Sequence, residues 1–347
     1  MKAKPITIVG GGLAGLTLGI GLRRQGVPVT VVEAGRYPRH RVCGELISGR
    51  GQATLARLGL REHLVGAGAV PVNTGAFFLG EARSPVRPLP APALSLSRFN
   101  MDALLAKLFQ EAGGELREGE RWRGDGCEEG VVRASGRRLE SASNGWQWFG
   151  LKVHARKVAL SADLEMHGTR EGYVGLSRLG NGEVNVCGLF RRPVRRQGGC
   201  VMSWRDQLRG QAGTPLWQRM DNAQLDETSF CAVAGLFLTP QRAVRRQDCS
   251  IGDALTMTPP VTGNGMSMAF EAAEMAVAPL AACSRGEITW TAARQAIARA
   301  CDGAFAGRLS WARWLQWMML TPVLRTSLGA LALSSDWLWR TMFARTR

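Results

Sequence analysis

A glycine-rich turn between an apolar strand and a helix is the feature that most constrains this chain. The apolar run Ile6–Val9 ends in Gly10-Gly11-Gly12-Leu13-Ala14-Gly15, and a helical pattern of leucines follows as far as Gly26. A second apolar run, Val27–Val32, then closes on Glu33. Strand, glycine turn, helix, strand and acid within about thirty residues predict a βαβ unit that binds a dinucleotide.

The residues of this turn have separate physical tasks in such a unit. Gly10 lets the backbone turn, Gly12 lets backbone N–H groups approach a pyrophosphate, and Gly15 lets the helix pack closely on the strand. The start of the helix, which includes Ala14, presents partial positive charge to the phosphates. Glu33 is expected to accept a hydrogen bond from a ribose hydroxyl, so all five residues are predicted to bind the cofactor.

Composition predicts an ordinary globular protein with room for two subdomains in 347 residues, since 45% of them are hydrophobic and 21% are charged. The net charge of +16 comes mainly from arginine. No block of like charges or known motif indicates a nucleic-acid partner. A basic surface favours an acidic partner instead, such as a carrier protein or an anionic membrane face.

The eight cysteines form no Cys-x-x-Cys pair and no cluster with histidine, so free thiols and no metal site are expected. No signal-peptide pattern precedes the first predicted strand, which favours a reducing, cytoplasmic location. The apolar stretch Trp314–Leu324 is far shorter than the roughly 20 residues of a membrane span.

The remaining elements follow from apolar periodicity. Helices are predicted over 48–64, 98–113, Ser267–Ala282, Trp290–Trp317 and Thr326–Phe343. Ser97 or Asn100 is the expected N-cap of the second. Asn181-Gly182 between two apolar runs predicts a hairpin in an antiparallel sheet. Residues 115–130 carry no clear pattern.

Three tryptophans at 311, 314 and 317 lie three residues apart and therefore share one helical face. Packing in the core is the favoured interpretation of this stripe. The alternatives are the wall of an apolar pocket and peripheral contact of the C-terminal helices with a membrane.

Three separated stretches carry a family resemblance: the glycine turn with Glu33, Ala134-Ser135-Gly136, and Gly252-Asp253. Their order and spacing resemble the FAD-dependent aromatic-hydroxylase superfamily, which includes flavin monooxygenases, geranylgeranyl reductases and flavin halogenases. The resemblance implies that the first motif binds the ADP half of FAD and that Asp253 binds its ribityl chain. It also implies contacts from Arg98, and stabilisation of flavin negative charge by the backbone N–H groups of Gly263, Asn264, Gly265 and Met266.

Within this superfamily, Pro38-Arg39-His40-Arg41-Val42-Cys43-Gly44-Glu45 is similar to the Pro-x-x-x-x-Cys-Gly turn of the geranylgeranyl reductase-like branch. The resemblance implies that Arg41, Cys43 and Gly44 contact FAD and that Cys43 and Glu45 lie beside the flavin ring. A positioning role for Cys43 is favoured over a redox role, with inert packing as the alternative. No catalytic residue besides the flavin is identified.

Two departures from the family patterns have consequences. Ser135 stands where the middle motif normally has Asp, which predicts weakened FAD binding. Trp146-Gln147-Trp148 begins like a halogenase signature, but Phe149-Gly150-Leu151 follows without the expected proline. The chain also lacks any lysine between Lys4 and Lys107, where halogenases carry one, so halogenation is set aside.

The resemblance therefore implies an α/β fold in which a Rossmann-like FAD-binding domain is interleaved with an antiparallel β-sheet substrate domain, followed by C-terminal helices. The FAD-binding segments are expected at 1–66, 98–145 and 246–289. The substrate domain is expected at 67–97 and 146–245, and the helices at 290–347.

The function implied is an FAD-dependent oxidoreductase of the monooxygenase type, with NAD(P)H as electron donor. Its expected substrate is an apolar polyketide-like or isoprenoid-like molecule, free or bound to a carrier. A C=C reductase of the geranylgeranyl reductase type is one alternative, and a non-catalytic FAD-binding protein is another.

Overall fold

The computed structural model describes residues 3–80, 82–137, 145–194, 202–321 and 334–346. These residues form a parallel sheet, a larger mixed sheet, and helices that cover both. The predicted fold class, a Rossmann-like unit combined with a second sheet and C-terminal helices, is confirmed.

The parallel sheet is built around the glycine turn. Its strands in spatial order are β14 (Cys249–Ser250), β8 (Val131–Arg133), β1 (Ile6–Val9), β2 (Val29–Glu33) and β7 (Glu115–Glu118). Helix α1 (Leu13–Arg24) connects β1 to β2, and Leu13 to Leu22 are all buried, which explains why this helix is apolar on every side. Residues 115–130, which carry no clear sequence pattern, include the edge strand β7, and this strand pairs with β2. Its side chains are mostly polar, so the apolar alternation typical of a strand is missing.

The second sheet has the strand order β13 (Gln224–Ala234), β9 (Trp146–Arg156), β12 (Val184–Pro193), β11 (Gly172–Arg178), β10 (Leu164–Thr169), β4 (Val70–Leu79), β6 (Arg87–Ser95) and β3 (Leu46–Ile47), with β5 (Ala82–Arg83) paired to β4. The predicted hairpin joins β11 to β12 through Gly180–Gly182. The sheet is mixed rather than purely antiparallel, because β10 runs parallel to β4.

The helices that follow α1 are α2 (Gly49–Arg57), α3 (Arg61–Gly66), α4 (Arg98–Glu111), α5 (Trp204–Arg209), α6 (Pro215–Met220), α7 (Gly265–Ser284), α8 (Trp290–Leu320) and α9 (Asp336–Thr346). The single helix predicted over 48–64 is divided in two, because Gly59 has a φ of 58°. Ser97 caps α4 by accepting a hydrogen bond from the Asn100 N–H. Part of the predicted helix Thr326–Phe343 lies outside the described residues.

Helix α7 is the central helix of the core and packs on α1, α2 and α8. It is also the one described helix long and apolar enough to cross a membrane, but 61% of that window is buried inside the protein. Burial of this kind is expected for the core helix of a globular protein.

The tryptophan stripe on α8 faces outward. Trp314 and Trp317 are 48% and 59% exposed, whereas Leu315 and Met319 on the opposite side of the helix are buried. Core packing is therefore wrong for these two rings.

An ion pair clamps α8 to α7. The Arg308 guanidinium donates two hydrogen bonds to the Glu271 carboxylate, at 2.8 and 2.7 Å, and both side chains are buried. A buried charge that loses its partner is strongly destabilising, because the remaining charge is neither paired nor hydrated.

We therefore predict that Arg308→Met lowers the free energy of unfolding by about 3–5 kcal/mol, measured by urea denaturation. The matched control is Arg57→Met, which removes the exposed partner of Glu274 one turn further along α7. This change is expected to cost less than about 1 kcal/mol. Equal losses in the two variants would contradict the structural role assigned to the clamp.

Candidate functional site

A cavity of about 630 Å³ lies against both sheets and collects most of the residues singled out from the sequence. The predicted residues that line it are Gly10, Gly12, Ala14, Glu33, Arg41, Cys43, Gly44, Glu45, Arg98, Ser135, Asp253, Gly263, Gly265 and Met266. Gly15, Gly252 and Asn264 are not among the lining residues. Gly15 packs against the Gly10 carbonyl, and Gly252 packs closely on the Ala14 side chain. Asn264 is buried, and its Oδ1 accepts a hydrogen bond from the Ser48 hydroxyl at 3.1 Å.

The glycine turn leaves its backbone accessible from the cavity. A Cβ at Gly12 would meet no atom within 4 Å, whereas a Cβ at Gly15 would lie 2.0 Å from the Gly10 carbonyl oxygen. Gly10 itself has a φ of 108° and packs on Ala134. The turn is thus tight on the protein side and open toward a ligand, as a pyrophosphate site requires.

Glu33 at the end of β2 locks this turn to a basic loop. Its carboxylate accepts hydrogen bonds at 2.8 Å from the backbone N–H groups of Gly11 and Gly35, and it pairs with Arg39 at 2.8 Å. Burial alone would raise the pKa of Glu33, but these hydrogen bonds and the Arg39 charge lower it below its usual value. Glu33 is therefore ionised at neutral pH, and it shapes the glycine turn as well as facing the cavity.

The carboxylate of Asp253 can accept hydrogen bonds from a ligand. It lines the cavity and has no hydrogen-bond partner among the described residues. Burial raises its pKa, while the charges of Arg137, Arg98 and Arg41 act in the opposite direction. Its oxygens are available to accept hydrogen bonds from a molecule in the cavity, and the ribityl contact stays a prediction.

The guanidinium of Arg98 is fixed by a buried partner on its own helix. Its Nε and Nη2 donate to the Asp102 carboxylate at 2.7 and 2.8 Å. Burial opposes its charge, but Asp102 outweighs that effect and raises the pKa of Arg98. Arg41 lies 3.3 Å from the same carboxylate. Arg98 and Arg41 are therefore held as two adjacent fixed cations in the cavity wall.

The turn Val42–Glu45 is attached to the mixed sheet through its carbonyl groups. Asn185 Nδ2 donates to the Cys43 carbonyl at 3.0 Å, and Ser177 Oγ donates to the Gly44 carbonyl at 3.0 Å. Burial raises the pKa of the Cys43 thiol, so this thiol is protonated at neutral pH, as a positioning or packing role requires.

Three groups of lining residues were not found from the sequence. One is the segment Glu120–Trp122, which had no recognisable pattern. Another is Arg137, whose Nη2 donates to the Val42 carbonyl at 2.8 Å. The third is apolar, and its members come from β10, β11, β12 and both C-terminal helices: Leu164, Met166, Tyr173, Leu189, Leu315, Met342 and Phe343.

Helix α9 forms one wall of the apolar part of the cavity, through Met342 and Phe343. Arg87 on β6 donates to the Ser334 carbonyl at 2.8 Å and to the Asp336 carboxylate at 2.6 Å. Trp339 stands edge-on to Phe77 with ring centroids 5.4 Å apart. The sequence pattern of α9 predicts a helix. It does not predict that this helix lines the cavity, because the contacts that hold it there join residues about 250 positions apart in the sequence.

Comparison with known proteins finds a family match in the part of the chain that contains the glycine turn. Residues 3–158 match the family described as FAD binding domain. This match covers less than half of the 347 residues and includes the glycine turn. One curated relative is a 1H-pyrrole-2-carbonyl-[peptidyl-carrier protein] brominase of Pseudoalteromonas luteoviolacea, 30% identical over 34% of this chain and 29% of the relative.

A squalene epoxidase of Aspergillus fumigatus is 38% identical over 20% of this chain and 14% of its own length. These matches cover less than a third of the length of either relative. The whole activity of neither relative is therefore assigned to this chain.

Several solved structures are similar to this chain in overall fold. The flavin-dependent brominase Bmp2 superposes with a TM-score of 0.77 at 19% identity, covering 100% of this chain and 93% of its own. PqsL, a probable FAD-dependent monooxygenase from Pseudomonas aeruginosa, gives 0.69 at 16% identity, with 95% and 100% covered. Halogenase PltM with phloroglucinol and FAD gives 0.70 at 14% identity, with 98% and 79% covered. At these identities the likeness concerns the fold.

The contrast between Gly12 and Gly15 gives a direct test of the cofactor site. We predict that Gly12→Ala leaves the free energy of unfolding within about 0.5 kcal/mol of the native value. The same change is expected to weaken FAD binding roughly tenfold or more, because its methyl group occupies the approach to the turn.

Gly15→Ala is the matched variant, and it is expected to lower stability by about 1–3 kcal/mol through its clash with the Gly10 carbonyl. Urea denaturation and fluorescence titration with FAD measure the two quantities. Native FAD affinity in Gly12→Ala would contradict the placement of the phosphates at this turn.

Proposed function

We propose that this protein is an FAD-dependent oxidoreductase of the monooxygenase type that acts on an apolar small molecule. One observation carries the proposal: a single cavity extends from the glycine turn, past Cys43 and Asp253, to a wall of apolar side chains on α8 and α9. Such a cavity joins the glycine turn to an apolar region in one continuous space, which suits a dinucleotide cofactor with an apolar molecule next to it.

The residues present fit FAD. Gly12 offers open backbone for the pyrophosphate, Asp253 offers an unpaired carboxylate for the ribityl hydroxyls, and the first turn of α7 offers backbone N–H groups at Gly265 and Met266. FAD bound there would supply the electron transfer. The chain would then bind the ring, orient it against the substrate and exclude water from the reacting atoms.

Helix α7 and the two arginines beside Asp102 supply the electrostatics. The N-terminal N–H groups of a helix carry partial positive charge, which favours a flavin that has gained negative charge. Arg98 and Arg41 add two fixed cations in the same wall. This arrangement supports a cofactor that alternates between oxidised and reduced forms, with NAD(P)H as the proposed electron donor.

The apolar half of the cavity supports a substrate class. Its packed side chains include Tyr173, Leu189, Met257, Val261 and Leu315, which favour a polyketide-like or isoprenoid-like molecule over a charged metabolite. The brominase relative acts on a pyrrole carried by a peptidyl-carrier protein, and the net charge of +16 is complementary to an acidic carrier. We therefore propose a carrier-bound substrate as one form of this class.

A C=C reductase is the second candidate function. The observation that favours it is the position of the Cys43-Gly44 turn in the cavity wall, since the reductase-like branch has such a turn beside the flavin. The proposal of a non-catalytic FAD protein rests on Ser135, which lines the cavity in place of the expected Asp.

Oxygen dependence separates these functions. The FAD-loaded protein, reduced with NADPH, is incubated with two apolar probes, 2-naphthol and geranylgeraniol, in air and under anaerobic conditions. We predict a product that gains one oxygen atom and forms only in air, detected by mass spectrometry. A product that gains two hydrogen atoms without oxygen would establish the reductase, and a bound flavin that NADPH never bleaches would point to the non-catalytic alternative or to another donor.

A further inference from the structure

A fully buried lysine lies behind the turn that carries Cys43. Lys152 on β9 is 0% exposed, and its cross-strand neighbours are Cys187 on β12 and Cys231 on β13. Its Nζ lies 3.1 Å from His40 Nδ1 and 3.6 Å from Glu45 Oε1. An ammonium group without water is costly, so its retention here depends on these two partners.

Glu45 occupies the position between Lys152 and the cavity. It is fully buried with a φ of 55°, a backbone conformation that is unfavourable for a residue other than glycine. Its carboxylate accepts a hydrogen bond from the Arg98 N–H at 2.8 Å and lies 2.8 Å from His154 Nε2. Because Glu45 also lines the cavity, it connects the buried lysine to the ligand space.

His40 connects the same lysine to solvent. Its ring is half-buried, stacks on Phe99 at 4.6 Å and meets His154 edge-on at 5.2 Å. Burial and the Lys152 ammonium lower the pKa of His40 to about 4. The neutral ring can therefore accept a hydrogen bond from Lys152 at physiological pH.

The other titratable and charged groups near this path do not interrupt it. Those that face it are His154 on β9, Arg98 on α4, Arg137 after β8, the exposed Asp226 on β13 and the thiols Cys43, Cys187 and Cys231. Burial raises the pKa of each of these thiols, that of Cys231 to about 11. They are therefore protonated at neutral pH and carry no competing negative charge.

We infer that His40, Lys152 and Glu45 form a proton relay between solvent and the cavity. The Lys152 ammonium gives a proton to Glu45, which passes it into the cavity. The His40 ring rotates to take a proton from solvent on Nδ1, and it then rotates back and gives that proton to Lys152. One proton enters from water, one reaches the cavity, and all three side chains return to their starting states.

The relay rests on the proposed function, because an FAD that changes oxidation state must exchange protons with water through an enclosing protein. Transfer of two electrons from reduced anionic FAD to O₂ gives H₂O₂ and consumes two protons. One proton comes from the reduced flavin, and the second must come from solvent. This single proton provides a measurable quantity that does not depend on the substrate.

The test follows proton uptake during reoxidation. FAD-loaded protein is reduced, freed of reductant by anaerobic gel filtration, and mixed with air-saturated, weakly buffered solution containing phenol red. We expect His40→Ala and Lys152→Met to slow proton uptake roughly tenfold or more. Imidazole is expected to restore the rate in His40→Ala in proportion to its concentration, because the site is open to solvent. His63→Ala, which removes an exposed histidine elsewhere, is the control and is expected to have no effect.

Native uptake rates in both variants would overturn the relay, as would a slow His40→Ala that imidazole does not restore, since this indicates a structural role alone. A second readout needs no FAD. In the protein without cofactor, NMR titration of His40 is expected to give a pKa of about 4. In Lys152→Met this pKa is expected to rise because the ammonium charge is lost, while burial still keeps it below the ordinary value of about 6.5.

The two readouts distinguish the failure of the relay from the failure of the proposed function. If FAD does not bind but the NMR shift is observed, the proposed function fails while the contacts of the relay stand. If FAD binds and is reduced normally but proton uptake is unaffected by either variant, the relay fails while the function stands. An ordinary pKa for His40 in the native protein would remove the contact with Lys152, and the relay with it.

Discussion

The attachment of the Val42–Glu45 turn to the mixed sheet is the constraint on which the rest of the site depends. The carbonyls of Cys43, Gly44 and Glu45 accept hydrogen bonds from Asn185, Ser177 and Ser95, and each of these donors belongs to a strand of that sheet. The same segment follows Glu33, which ends strand β2 of the parallel sheet and accepts a hydrogen bond from the glycine turn. A short stretch of chain therefore joins the two sheets and fixes the cavity between them, since displacement of either sheet would break several buried hydrogen bonds at once.

This joint also explains why Glu45 tolerates an unfavourable backbone conformation. Its carbonyl, amide and carboxylate all have partners, and these contacts hold the strained residue in place. Strain of this kind persists where the surroundings fix it, and it commonly accompanies a functional position. The buried charges beside it, Lys152 and Arg98, are likewise each held by a carboxylate, so the cavity wall contains several charges whose positions are fixed before any ligand binds.

Local motifs predicted the elements around the glycine turn, because a glycine turn and its flanking strands and helix fix their own geometry. The βαβ unit, the Ser97 cap and the hairpin after β11 needed only neighbouring residues. Lys152 lies between Leu151 and Val153 in the sequence, and such alternation by itself is typical of a polar residue on the outer face of a strand. Its burial depends on His40 and Glu45, more than a hundred residues away, and no local pattern records such a contact.

The apolar residues of the C-terminal helices also make contacts that local sequence patterns do not predict. Leu315 and Phe343 had a helical pattern, but their role as cavity wall follows from docking on strands far away in sequence. The tryptophan stripe had the spacing of a buried face and proved to be exposed at 314 and 317, because spacing shows that rings share a face and not which way it points.

The measurement that tests the central claim most directly is a binding titration of the purified protein with FAD and, separately, with NAD⁺. The account predicts one FAD per chain, with a visible flavin spectrum shifted from that of free FAD, and much weaker binding of NAD⁺. Binding of NAD⁺ in preference to FAD, or no binding of FAD at any concentration that leaves the protein folded, would contradict it.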